Sequence, residues 1–132
     1  MSGRGLRPGP CEITNAYSRD EGAKATLRLL NRHPDITAIA AANDLLALGA
    51  YDAVAKMEFK CPEDISIVGH NDMPLMDIVR PGLTTIRISH KEMGHVAADL
   101  LLQAIDQPGR SPRNIVLPPQ LVIRQSTAAL KR

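Results

Sequence analysis

An α/β fold with a mostly parallel sheet flanked by helices follows from three patterns in this chain. Two mostly uninterrupted apolar runs, residues 36–42 and 65–68, read as strands buried on both faces, as parallel strands are. Amphipathic stretches with helical spacing follow each other between such runs, so that the segments read βαβαβ(β)αββ. Each apolar run also stops at polar residues, the first at Asn43-Asp44 and the second at Gly69-His70-Asn71-Asp72. The chain has 132 residues, 44% of them hydrophobic, which is one domain or a piece of one with enough apolar content for a core. Aromatic residues make up only 2%, so that core is aliphatic.

Taken in order, residues 11–17 read as a short, mixed strand. Ser18 or Asp20 can cap the helix that follows, because a side-chain oxygen there accepts orphan backbone N–H groups. Ala23, Thr26, Leu27 and Leu30 share one face of that helix, and Pro34 ends it. A second helix is expected over residues 44–57. Leu46, Ala50, Ala53 and Met57 line one face of it, and Leu45 and Leu48 form a second apolar patch. After the strand at 65–68, residues 73–80 read as one helical turn that Pro81-Gly82 breaks. Residues 83–88 are β-rich. Ser89 and Glu92 have the spacing of a capping box, opening the longest helix, roughly 90–106. Met93, Ala97, Leu100 and Ala104 form its stripe, widened by Val96, Leu101 and Ile105. Residues 115–117 and 121–124 read as strands interrupted by Pro118-Pro119.

Composition excludes several function classes. The net charge of +2, from 16 basic and 14 acidic residues, supplies no basic face for nucleic acid. Cys11 and Cys61 lack CxxC spacing and the four histidines form no matching cluster, so a zinc site is not expected. The cysteines read as free thiols of a reducing cytosol. No apolar run approaches the roughly 20 residues that span a bilayer. The opening MSGRGLRPGP lacks the apolar centre of a signal peptide, and residues 1–12 read as a disordered arm. Phosphate-cradling glycine motifs and the GxSxG elbow are missing, and no cofactor is expected. Glu63-Asp64 reads as a solvated turn before a strand.

The candidate site lies at the two strand ends. In open parallel sheets, ligands sit at the carboxyl ends of strands, where the chain turns into helices. Asn43 with Asp44, and His70 with Asn71 and Asp72, would make a hydrogen-bonding rim for a small polar molecule. Each has a plainer role open to it. Asn43 or Asp44 can cap a helix, Asp72 can fix the turn after Gly69, and His70 can line a pocket or, less readily, act as a general base.

Five stretches together resemble the closing half of the LacI/GalR family of bacterial transcription regulators, in its order and at its spacing. They are ANDLLALGA at 42–50, CPEDISIVGHND at 61–72, RPGLTTI at 80–86, EMG at 92–94 and LPPQLVIRQST at 117–127. The resemblance covers residues 13–129 and implies one lobe, incomplete, of a periplasmic-binding-protein-like (type I) fold. Such sensors hold a sugar or nucleobase between two lobes. The resemblance places Asn43 on an effector-bonding Asn, Asn71 on a position that is usually an effector-bonding Asp, and His70 on a neighbouring aromatic. Where the usual carboxylate only accepts hydrogen bonds, the amide of Asn71 also donates.

The resemblance also implies what surrounds these residues. Contact with DNA would come only through an N-terminal helix-turn-helix, which is not among them. Family dimers form near Leu45, Leu48, Met76 and Val79, so a homodimer is expected. Residues 90–118 would belong to the opposite lobe, leaving the 90–106 stripe without its usual sheet. That helix is expected to fold back on its own lobe, swap with another copy, or be poorly ordered. Residues 130–132 read as a tail. The expected function is therefore effector sensing and dimerisation in a cytoplasmic regulator, with no enzyme activity. The alternatives are a soluble sugar-binding protein and, behind it, a small α/β enzyme using His70.

Overall fold

Ser18 opens the first helix. Its Oγ accepts the Glu21 N–H at 3.3 Å, and Asp20 and Glu21 complement the positive end of α1, Arg19–Arg32. In this computed structural model residues 9–109, 111 and 113–129 are described. Most of the expected arm, residues 1–8, and the 130–132 tail therefore lie outside the described residues. At the end of the expected arm, Glu12 receives Arg28 Nε at 2.9 Å and Arg32 Nη1 at 2.8 Å, which ties it to α1.

The second helix, α2, spans Asp44–Lys56 and buries Leu46, Ala47, Gly49, Ala50, Ala53 and Val54 along with Asp44. It crosses α1 at a point where only glycine fits. A Cβ on Gly22 would stand 2.7 Å from Leu46 Cα, and one on Gly49 would stand 2.5 Å from Ala23 N. That close approach rotates the buried face of α1 onto Gly22, Ala25, Thr26 and Leu30, leaving the expected Ala23 and Leu27 half-buried.

Four strands form one sheet in the order β1-β2-β3-β4: β1 Ala38–Ala40, β2 Ser66–Asn71, β3 Thr84–Arg87 and β4 Gln120–Val122. The first three run parallel, and β4 returns antiparallel to β3. Two expected strands are absent. Residues 11–17 hold no ladder and are fastened by side-chain ion pairs instead. Residues 115–117 stay irregular because Pro118-Pro119 remove two ladder donors, so pairing begins only at Gln120.

The expectation that residues 36–42 are buried on both faces fails. β1 is an edge strand with Ala38 and Ala40 exposed and Ile39 half-buried. An apolar run records the capacity to be covered, not the presence of a cover. One sheet face is covered: Ile67 and Gly69 of β2 are buried, and the core gathers Leu30, Ala47, Ala50, Val54, Ile65, Ile67, Met76 and Leu83. Ser126 is fully buried between β2 and β3, where its Oγ accepts Thr84 N–H at 2.8 Å and donates to Ile67 O at 2.6 Å. Residues 73–80 form turns rather than a helical turn, with Leu75 in the left-handed region at φ 76°.

The last helix, α3, runs His90–Asp106 as expected but buries no residue. The expected capping box does not form. Ser18 and Asn43 precede their helices in extended backbone, φ −124° and −154°, which aims the side chain at the first turn. Ser89 has φ −75°, ψ 69° and makes no side-chain cap bond. Instead of folding back onto the sheet, α3 keeps Met93, Val96, Ala97 and Leu100 along a groove of about 410 Å³. The facing wall includes Ile88, Ile115, Leu117 and Pro118. Leu101, Leu102 and Ile105 are 62%, 59% and 63% exposed.

Candidate functional site

Strand register sets the site. Ala40 of β1 lies opposite Val68 of β2, so Asn43 and Asn71 each stand three residues beyond a paired position, at matching carboxyl ends of adjacent parallel strands. The two strand ends are thus neighbours in the sheet.

Asp44 ties the two ends together. It is fully buried, and its oxygens accept the Thr85 hydroxyl at 2.6 Å and the Met73 N–H at 2.7 Å. Gly69 is what lets the carboxylate reach between strands, since a side chain there would collide with Asp44 Oδ1 and stand 2.8 Å from Leu83 Cδ2. A buried carboxylate at a helix N-terminus benefits from the helix dipole and from charge-assisted hydrogen bonds. Asp44 therefore serves the frame of the site, and the capping role falls to its neighbour.

Asn43 is the N-cap of α2, with Oδ1 accepting Leu46 N–H at 2.9 Å. Its amide nitrogen, with two N–H donors, takes no part in that bond. Asn71 is half-buried, and its Oδ1 lies 3.0 Å from His70 Nδ1. With Nδ1 carrying the proton, that contact leaves the Asn71 amide as a donor and His70 Nε2 as an acceptor. Two amide donors and one imidazole acceptor can hold a neutral polar molecule by complementary hydrogen bonds. His70 also faces the groove beside α3, where its neighbours are apolar.

Asp72 departs from its expected part. Its carboxylate is taken up by two arginines rather than by the turn backbone. Oδ2 receives Arg87 Nε and Oδ1 receives Arg124 Nη2, each at 2.7 Å, with the carboxylate 8% exposed. Burial pushes the Asp72 carboxyl upward, but hydrogen bonds from Arg124 and Arg87 more than reverse this and hold it below the usual range. Arg87 and Arg124 were not among the expected site residues. Arg124 lies within the LPPQLVIRQST stretch, but its partner stands 52 residues away, and no local pattern joins them.

On the expected pairing surface, Leu45, Leu48 and Val79 are half-buried on the α2 side of the lobe. Met76 is a correction: at 4% exposure it belongs to the core, because the turn through Leu75 drives it inward. The exposed apolar residues of that turn are Leu75 and Ile78, at 62% and 58%. Among the described residues no group of His, Cys, Asp and Glu is arranged to hold a metal ion. No helix among them is long and apolar enough to cross a membrane.

Residues 1–127 match the periplasmic binding protein-like domain. The chain belongs to that family. It is 33% identical over 119 residues to the ribose operon repressor of Haemophilus influenzae, covering 90% of this chain and 36% of the repressor. It is 37% identical over 113 residues to the HTH-type transcriptional regulator MalR of Streptomyces coelicolor, covering 86% of this chain and 32% of MalR. A solved LacI family regulator from Enterococcus faecalis with bound ribose superposes with a TM-score of 0.81 at 38% identity, covering 89% of this chain and 43% of that one. The chain thus spans about a third of the length of these curated relatives. The resemblance to LacI/GalR regulators holds in both sequence and fold.

Proposed function

We propose that this chain is the effector-sensing and pairing part of a cytoplasmic LacI-type transcription regulator, with a sugar or nucleobase-like molecule as effector and no enzyme activity. The observation that carries this reading is the placement of Asn43 and Asn71 at matching carboxyl ends of adjacent parallel strands. Their amide nitrogens, with His70 beside them, present donors and an acceptor for a small neutral ligand. In the regulators the chain resembles, a second lobe closes over such a ligand, and operator contact is made by an N-terminal helix-turn-helix. One lobe offers an open wall, which buries less of a ligand than a cleft does. Effector affinity of these residues alone is therefore weak.

Pairing uses the outer side of α2 and the following turn, with Leu45, Leu48, Val79, Leu75 and Ile78 meeting their equivalents on a second copy. Three of these were expected; the other two replace Met76. An enzyme built on His70 fits less well. A catalytic histidine needs a nucleophile, metal or second acid–base group within reach. The contact this histidine makes is with the neutral amide of Asn71.

The test is an NMR titration of the chain with D-ribose, D-glucose and hypoxanthine, repeated for Asn43→Ser and Asn71→Gly. Serine keeps the helix cap and glycine accepts the backbone angle, so both variants remove an amide without removing the fold. Saturable shifts around residues 43 and 71 that both variants abolish support the reading. Shifts that persist in both variants place the ligand elsewhere and overturn it.

A further inference from the structure

Asn71 and Asp72 hold backbone angles that L residues rarely adopt, φ 112° and 55° in succession. Such conformations cost free energy and persist only where the surroundings over-determine them. The determining contacts converge on one carboxylate, that of Asp72, with Arg87 on one oxygen and Arg124 on the other. Arg124 is itself fixed. Its side chain is 15% exposed, its Nη1 donates to Leu83 O at 2.7 Å, and its backbone N–H donates to Thr84 Oγ1 at 3.0 Å. Arg87 lies opposite Asn71 across the β2–β3 ladder and opposite Gln120 across β3–β4. One carboxylate therefore fastens the end of β2, the end of β3 and the residue two past the end of β4. The end of β3 is where the chain leaves toward α3, and Gln120, opposite Arg87, is where it returns.

We propose that Asp72 and Arg124 are positioning residues for the effector site, holding Asn71 in its left-handed conformation so that its amide stays presented beside Asn43. The idea rests on Asn71 as a ligand contact and adds residues that touch no ligand themselves. Without the pair, Asn71 relaxes toward ordinary extended backbone and its amide leaves the rim.

The experiment is NMR on the full chain and on Asp72→Asn, Arg124→Met, Arg124→Lys, Asn71→Gly and the Asn71→Gly/Asp72→Asn double variant. In Asp72→Asn and Arg124→Met, the Asn71 Cα and Cβ shifts should move toward extended values. Hydrogen exchange at residue 71 should rise at least tenfold, while Leu30 and Val54 exchange as before. Arg124→Lys should recover part of the loss. Glycine needs no help to hold a positive φ, so Asp72→Asn should leave residue 71 exchange unchanged in the Asn71→Gly background. A purely structural role would show the same loss in both backgrounds, and that result overturns the proposal. So do unchanged Asn71 shifts in Asp72→Asn. These readouts need no ligand, so a chain that binds none of the sugars or hypoxanthine defeats the effector reading while leaving this test decisive. Where the variants fail to fold, the unmodified chain is titrated in acid. The Asp72 carboxyl and the Asn71 Cα shifts should move with one midpoint, and separate midpoints overturn the proposal.

Discussion

Helices α2 and α3 are both amphipathic and of similar length, 13 and 17 residues, yet α2 buries seven residues and α3 buries none. The difference is not in the pattern of either helix. α2 lies on a sheet that the same chain supplies, with Ala47, Ala50 and Val54 meeting Ile65 and Ile67. Among the described residues, the neighbours of α3 are the irregular segment from Arg113 to Pro119 and the strand ends. Helical periodicity tells which side of a helix wants to be covered, and the topology of the rest of the chain decides whether it is.

The largest test of this contrast is truncation of one leucine in each region. Leu30 is 2% exposed and packs in the core under α2, so Leu30→Ala should cost about 2–5 kcal/mol. Leu101→Ala on α3 should change stability by no more than about 0.5 kcal/mol. Urea unfolding of both variants measures this. A Leu101→Ala cost matching that of Leu30→Ala would mean α3 is covered in solution, and a dependence of that cost on protein concentration would show that a second copy covers it. Leu101→Glu with Ile105→Lys then sharpens the result, since lowering exposed apolar area should reduce association without loss of helix.

The same contrast separates what was legible in the sequence from what was not. The three long helices and their bounds were legible because their signals are local: Ser18 and Asn43 as caps, Pro34 as a stop, and a stripe from Met93 to Ala104. Strand content was less legible. Residues 11–17 and 115–117 have apolar residues but no partner for their ladders, and partnership is a long-range property. The position of Asn43 and Asn71 at neighbouring strand ends was legible, because the apolar runs stop there. Asp44 as a buried clamp, Met76 as core and Arg124 as the partner of Asp72 were not. Each depends on a contact with a segment at least 29 residues distant or on the left-handed turn at Leu75.

The N-termini of the two helices give a smaller, sharper test. Asn43 makes its cap bond to Leu46 N at 2.9 Å and Ser89 makes none. Asn43→Ala should therefore cost about 1 kcal/mol, and Ser89→Ala should be close to neutral. Asn43→Ser should recover most of the Asn43→Ala loss, because a hydroxyl at the same backbone angle also reaches the first turn. A Ser89→Ala cost equal to that of Asn43→Ala would show that the capping box forms in solution and that α3 is ordered by more than its own backbone.

The smallest effect is set by pH and again belongs to the α2 side. Burial pushes the Tyr51 phenol up to about 12, and its hydroxyl donates to Pro81 O at 3.0 Å. Burial likewise pushes the Cys61 thiol up to about 11. In both cases the folded chain favours the protonated, neutral group more than the unfolded chain does. The stability they contribute is thus complete below their ordinary values, about 8.5 for Cys and about 10 for Tyr, and declines as pH rises through the folded values. α3 carries no tyrosine or cysteine. Alkali should accordingly loosen the α1–α2 core before it affects the helicity of α3, a sequence that residue-resolved amide signals would display. Tyr51→Phe should raise the alkaline midpoint, at the cost of one hydrogen bond near neutral pH. If the midpoint stays where it was, the phenol is solvated in both states, and the packing of α2 against the Pro81 turn is looser than these contacts describe.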